Sequence, residues 1–332
     1  MIGMEKQLLN KAFDSNWIAP VGPEINQFEK RTADYININH ACALSSGTSA
    51  LHLALRILNI QKGDYILCPS LTFAASANVI LYENALPVFI DSENNSWTID
   101  PTLLEFAIKK YKPKALITVD LYGQSCNYNL ISEICKYYNI PIVEDSAEAL
   151  GSEFNNKKLG SYGDLSIFSF NGNKIITTSS GGMLLSNNAD YIRKAKYLST
   201  QARDNVIHYE HKALGYNYRM SNLLAAIGIA QLENINSFIN KRRKIYKKYY
   251  DSFSSIEGIT FFKERKNLFS NCWLTTFLID KKKTNISNMD IIKALEEENI
   301  ESRPVWKPMH LQPLYKGYDY LRKGMDDISG EI

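Results

Sequence analysis

The chain has 332 residues, enough for one large domain with a smaller one, or for two of medium size. Hydrophobic residues make up 45% and charged residues 22%, the balance of a globular protein with a packed core. A net charge of +3, from 38 basic and 35 acidic residues spread along the chain, gives no basis for nucleic acid or an anionic membrane as partner.

The N-terminal stretch MIGMEKQLLNKAF lacks the apolar centre of a signal peptide. No run approaches the ~18 apolar residues that a membrane helix needs. From about residue 40 to 190, short apolar runs alternate with segments of helical period. The expected strands are Ala41–Leu44, Tyr65–Cys68, Pro87–Ile90, Ala115–Val119, Pro141–Glu144, Leu165–Phe170 and Met183–Ser186. Helical patterns fall at Ser49–Leu58, Ala74–Glu83, Thr102–Tyr111 and Asn129–Tyr138. This alternation predicts an α/β domain with a mostly parallel seven-stranded sheet covered on both faces, whose ligands gather at the carboxyl ends of the strands.

After Asn188 the character changes. Residues 189–201 and 221–250 read as helices, and Ile259–Phe262 and Trp273–Ile279 as strands. A helical pattern, Asn288–Glu298, follows. The division expected is a large domain over 1–240 and a smaller α+β domain over 241–332. The five cysteines, Cys42, Cys68, Cys126, Cys135 and Cys272, form no C-x-x-C pair and cannot all pair within one chain. They point to a reducing, cytoplasmic compartment and to no zinc site.

Four segments fall where strands should end. Ser45–Ser49, with Gly47 and Thr48 between, opens a helix and offers backbone N–H groups and hydroxyls to a phosphate; taken alone, an ordinary N-cap by Ser46 or Thr48 is the simpler account. In Val143–Glu148 an apolar strand runs into Glu144 and Asp145. A carboxylate there can hold a protonated pyridine nitrogen, or simply be a surface acid or cap. Lys174 follows the strand-like Ser166–Phe170 and precedes Thr177–Gly182. A lysine among small polar residues in a cleft suits Schiff-base chemistry, whereas most lysines are merely solvated. Gly215–Met220 packs tyrosines around Asn217 and Arg219; the arginine fork suits phosphate or a structural ion pair. No metalloprotease, hydrolase or P-loop pattern competes, and the five histidines are not spaced as a metal cluster.

In order along the chain, ALSSGTSALHLAL (43–55), PSLTFAASAN (69–78), VEDSAEALGS (143–152), FSFNGNKIITT (168–178), GYNYRMSNLLAAIGIAQL (215–232) and SRPVWKPMH (302–310) resemble the sugar aminotransferases of the DegT/DnrJ/EryC1/StrS family. These are fold-type I pyridoxal phosphate enzymes. The resemblance implies that Lys174 carries the cofactor as a Schiff base and later moves the proton. It implies that Asp145 pairs with the pyridine nitrogen, Glu148 lies by one ring face, and Phe73 stacks on the ring. Gly47, Thr48, Ser49 and Ser169 would form the phosphate site. Asn217 would complete that site in a neighbouring subunit, which implies a homodimer with shared active sites. Arg219 and His310 resemble positions near a nucleotide-sugar substrate.

The reaction so implied takes an amino group from glutamate and gives it to a keto-sugar nucleotide. The wording SFNGNKIITT is most similar to the branch acting on UDP-4-keto-6-deoxy-N-acetylglucosamine, for surface glycans or nonulosonic acids. A dTDP-sugar aminotransferase, a dehydratase and a non-catalytic binding protein are the alternatives. Dehydratases of the family carry histidine in place of the lysine, and a binding protein should lack the lysine or the acid; Lys174 and Asp145 are both present. Ser179 and Ser180 depart from the glycine- or glutamate-containing segment of relatives, and are expected to fit if their backbone keeps negative φ. Relatives commonly continue for some tens of residues past Gly317–Ile332; if those elements are absent, the small domain would lose part of its core.

Overall fold

The computed structural model describes residues 1–262 and 264–332. Its centre is an eight-stranded sheet of β1 (His40–Leu44), β2 (Tyr65–Pro69), β3 (Leu86–Ile90), β4 (Ala115–Val119), β5 (Ile142–Asp145), β6 (Leu165–Ser169), β7 (Gly182–Ser186) and β8 (Tyr320–Leu321), in the order β1-β7-β6-β5-β4-β2-β3-β8. Only β7 runs against the others. The seven expected strands are all present, each within one residue of the apolar run that foretold it. Their side chains are buried on both faces, as a parallel sheet sandwiched between helices requires.

One face is covered by α3 (Gly47–Ile57), α4 (Ala74–Tyr82) and α7 (Ala189–Ser199), around Leu53, Ile80, Ile117 and Leu184. The other is covered by α5 (Leu104–Tyr111) and α6 (Tyr128–Tyr138), around Leu67, Leu116 and Ile131. Two further helices, α1 (Met4–Asp14) and α2 (Pro23–Ile36), precede the sheet and pack on α8 (Asn222–Glu233). They were not expected from the sequence. The signal in α2 is nonetheless there: Pro23 opens the helix, and Ile25, Phe28, Thr32, Ala33 and Ile36 form one buried stripe.

The long helix expected over 221–250 is two helices. Asn234 ends α8 by leaving helical backbone and bonding its side chain to the Ala230 carbonyl, and α9 (Ile235–Phe253) starts afresh. Beyond α9 a two-stranded ribbon pairs Ile259–Phe261 with Phe277–Ile279, packed on Tyr246 and Tyr250. The strand expected from Trp273 begins only at Phe277, because Cys272 takes a left-handed φ of 49° and turns Trp273 into the large sheet. The last segment, expected within the smaller domain, returns to the large sheet instead. There β8 adds to β3, and Asp91 accepts the Ile328 and Ser329 backbone N–H groups at 3.1 and 2.8 Å.

Candidate active site

The carboxyl ends of β4, β5 and β6 open onto a cavity of about 280 Å3. Asp145, the last residue of β5, points into it. Strand alternation sends its neighbour Glu144 to the opposite face, where the carboxylate accepts from Gly160, Tyr162 and Gly163 N–H groups and the Ser166 hydroxyl. Two adjacent acids thus have unrelated roles. Asp145 is only 5% exposed, and accepts from the Ser76 hydroxyl at 2.7 Å and the Ala147 N–H at 3.1 Å. Burial raises its pKa above the usual carboxylate range. A buried acid with neutral donors alone suits a cationic ligand group, and the protonated pyridine nitrogen of pyridoxal phosphate is such a group.

Lys174 enters the cavity from the loop between β6 and β7. That loop is closed by the Phe170 N–H bond to the Gly181 carbonyl at 2.8 Å and the Thr178 N–H bond to the Phe170 carbonyl at 2.9 Å. The Lys174 ammonium lies 3.5 Å from Glu148 Oε1, whose other oxygen accepts the Tyr122 N–H at 2.7 Å. Burial pushes the Glu148 carboxyl up to about 7, against the pull of the lysine charge.

The cavity is lined as well by hydroxyls and by the start of α3. Ser46, Gly47, Thr48, Ser169 and Ser180 contribute there. The Ser46 hydroxyl caps the Ser49 N–H at 3.0 Å, so the capping role and the cavity wall fall to the same residue. Side chains are excluded by space. A Cβ on Gly182 would stand 2.3 Å from the Ser46 carbonyl group, and one on Gly47 3.0 Å from Ser169 Cβ. Backbone N–H groups at a helix start with surrounding hydroxyls make a phosphate cradle.

Of the residues expected at the site, Lys174, Asp145, Glu148, Phe73, Gly47, Thr48 and Ser169 are brought together. Phe73, immediately before α4, is half-exposed and lies 5.4 Å from the Trp306 ring centre. Ser49 does not reach the cavity; its hydroxyl is bonded to those of Ser45 and Ser46 at 3.0 and 2.8 Å. Asn217 lies away on an exposed loop, held by a backbone bridge to Thr200.

Arg219 and His310 are held by partners within this chain rather than brought to the cavity. The Arg219 guanidinium is turned inward, bonded to Glu29 at 2.7 Å and to the Ala43 carbonyl at 2.9 Å, and grips no cavity group. His310 bonds Ser70 at 2.6 Å and Asp327 at 3.3 Å and stacks on Tyr320, so both ring nitrogens serve to fasten the C-terminal segment. Ser179 also departs from expectation, with a left-handed φ of 71°. In exchange the cavity has two walls that were not foreseen, Trp273 and Trp306. Trp306 belongs to the same segment, 302–310, as His310. Trp273 has no local signal, since its place depends on the bend at Cys272.

Among the described residues no cluster of metal-ligating side chains occurs, and no helix is long and apolar enough to cross a membrane. The DegT/DnrJ/EryC1/StrS aminotransferase family model matches residues 2–329. The chain belongs to this family. Among its relatives, EpsN of Bacillus subtilis, by its name a pyridoxal phosphate-dependent aminotransferase, is 49% identical over 95% of this chain and 82% of its own. GDP-perosamine synthase of Escherichia coli O157:H7 is 39% identical over 95% and 85%. The pyridoxal phosphate form of Spr1654 from Streptococcus pneumoniae, named a sugar aminotransferase, superposes with a TM-score of 0.86 at 29% identity, covering 96% of this chain and 86% of that one. As a member of the family the chain is a pyridoxal phosphate-dependent sugar aminotransferase, and its cavity offers an amine, a buried acid and a phosphate cradle for that cofactor.

Proposed function

We propose that this enzyme transfers the amino group of glutamate to the keto carbon of UDP-4-keto-6-deoxy-N-acetylglucosamine, giving a UDP-4-amino-4,6-dideoxy sugar for surface glycans or nonulosonic acids. The observation that carries the amino-transfer part is the placing of Lys174: one ammonium, with a side chain 12% exposed, in a cavity that the start of α3 with its hydroxyls and the buried Asp145 also line. The likeness of the segment 169–178 to the UDP-sugar branch supports the substrate.

The bound cofactor supplies an electron sink that lets the carbon–hydrogen bond beside an amine break. The residues around it do the rest. Lys174 holds the cofactor and, once released, takes and returns the proton at Nζ. Asp145 keeps the pyridine nitrogen protonated. Glu148 and Phe73 bound the ring, and Gly47, Thr48 and Ser169, with Ser46, fix the phosphate end. Asn217, on its exposed loop, reaches the phosphate site of a second copy in a homodimer. The enzyme works in the cytoplasm, where such nucleotide sugars are made.

A GDP-linked keto-sugar is the second reading, favoured by the 39% identity to GDP-perosamine synthase. Incubation with glutamate and UDP-, GDP- or dTDP-linked 4-keto-6-deoxy sugars separates them. The expected result is an amino-sugar product from the UDP substrate with at least about tenfold preference. Preference for the GDP or dTDP sugar contradicts the UDP assignment and leaves the amino-transfer reading standing.

A further inference from the structure

Trp273 is 1% exposed and reaches the cavity from the chain between the two strands of the small ribbon. Its indole N–H donates to the Asn173 carbonyl, the peptide just before Lys174, at 2.7 Å. The Lys174 nitrogen stands 4.0 Å from the centre of the indole ring. The indole is itself fixed. Tyr122 stacks with it at 6.3 Å and 23°, and its backbone N–H bonds Asn271 Oδ1 at 2.9 Å. Asn271, fully buried, donates in turn to the Glu148 and Leu150 carbonyls at 2.9 and 3.1 Å. An indole that only filled space would need neither the bond to the Lys174 loop nor a face turned to the ammonium. Tryptophan faces attract ammonium groups more strongly where the charge is desolvated, and the Lys174 side chain is only 12% exposed.

We propose that the Trp273 indole face is the seat of the Lys174 ammonium when that lysine is free of the cofactor and protonated, which makes Trp273 a positioning residue for amino transfer. The inference rests on pyridoxal phosphate chemistry at Lys174, and is independent of which sugar nucleotide is used. In the reaction the lysine must alternate between two conditions. Joining the aldehyde of the cofactor, with loss of one water, would engage the Lys174 nitrogen there and take the free ammonium off the ring face. When the amino group has moved to the cofactor, the lysine is free again and returns to the seat, with Glu148 Oε1 on its flank at 3.5 Å. The seat thus stabilises the free, protonated lysine relative to the bonded one.

The test is to titrate the cofactor-free protein with two ligands. Pyridoxamine phosphate has the ring and the phosphate but no aldehyde, so Lys174 stays seated; pyridoxal phosphate must draw the lysine away. In Trp273→Leu the dissociation constant for pyridoxamine phosphate is expected to stay within about twofold, while pyridoxal phosphate binds tighter. The ratio of the two constants, pyridoxamine over pyridoxal phosphate, should rise roughly three- to thirtyfold. Trp273→Phe, which keeps an aromatic face, should shift it no more than about threefold. Fluorinated tryptophan placed at position 273 hardly alters the shape and weakens the face with each fluorine, so the ratio should climb stepwise in a protein that folds normally. An unchanged ratio across that series overturns the proposal. Equal weakening of both ligands in Trp273→Leu also overturns it, because that is what loss of packing alone would do.

Discussion

The Lys174 ammonium and the Glu148 carboxylate lie 3.5 Å apart, with side chains 12% and 4% exposed. A separation beyond ordinary hydrogen-bond length, so deeply placed, leaves the acid poorly compensated, and burial pushes it from 4.5 up to about 7. The native state therefore binds a proton more readily than the unfolded chain. The stability this contributes is full below about 4.5 and is lost as pH rises through about 7. Denaturant titrations of the cofactor-free protein should show this fall, of roughly 1–3 kcal/mol, in the wild type, and a flatter profile in Glu148→Gln. Identical profiles for the two proteins would count against the uncompensated acid.

Asp145 is the second buried acid, and here the charge has a use. Asp145→Asn retains the shape and a bond with Ser76 but offers no negative charge to a pyridine nitrogen. Hydrogen bonds to charged groups are worth about 1.5–3 kcal/mol, so pyridoxal phosphate affinity or turnover should drop roughly ten- to hundredfold. Absorbance titration and steady-state rates of the purified variant check this. Undiminished turnover would remove Asp145 from the account.

The Arg219 guanidinium and the Lys196 ammonium, at 2.7 and 2.6 Å, both meet Glu29, which also accepts the Ala43 N–H at 2.8 Å. Replacing Glu29 with Gln strands the Arg219 charge in the interior. The expected loss is about 3 kcal/mol of stability, read from the urea midpoint, with cofactor affinity little changed. If Arg219 acted on a ligand instead, affinity would move first.

The strands were legible because apolar runs about five residues long, bounded by turns and alternating with helical periods, form little else than the buried strands of a covered sheet. Lys174, Asp145 and Phe73 were legible because each stands in a segment of recognisable order. The partners of Arg219 and His310 were not, because a guanidinium or an imidazole reads the same whether it faces a ligand or fastens two segments, and Glu29, Ser70 and Asp327 are distant in sequence. The same holds for Trp273, placed by the left-handed turn at Cys272, and for the break at Asn234, where a side chain bonds back to the helix and neither glycine nor proline stands at the break.

Ser179 gives a local test of the loop that carries the lysine. Its φ of 71° lies in the region that costs an L-residue about 1–2 kcal/mol, against the ~0.5–1 kcal/mol of added unfolded-state entropy that glycine brings. Ser179→Gly should raise stability by about 0.5 kcal/mol and leave the cofactor titration unchanged. A loss of stability would mean that the serine backbone is not held in that region.

The measurement closest to the central claim is the absorbance spectrum of the protein with pyridoxal phosphate, before and after glutamate, beside Lys174→Ala. The expected result is a visible band in the wild type that glutamate abolishes and a UDP-linked keto-sugar restores, with no such band in the variant. A wild type without the band, or a variant that shows it equally, would contradict the assignment of the chemistry to Lys174.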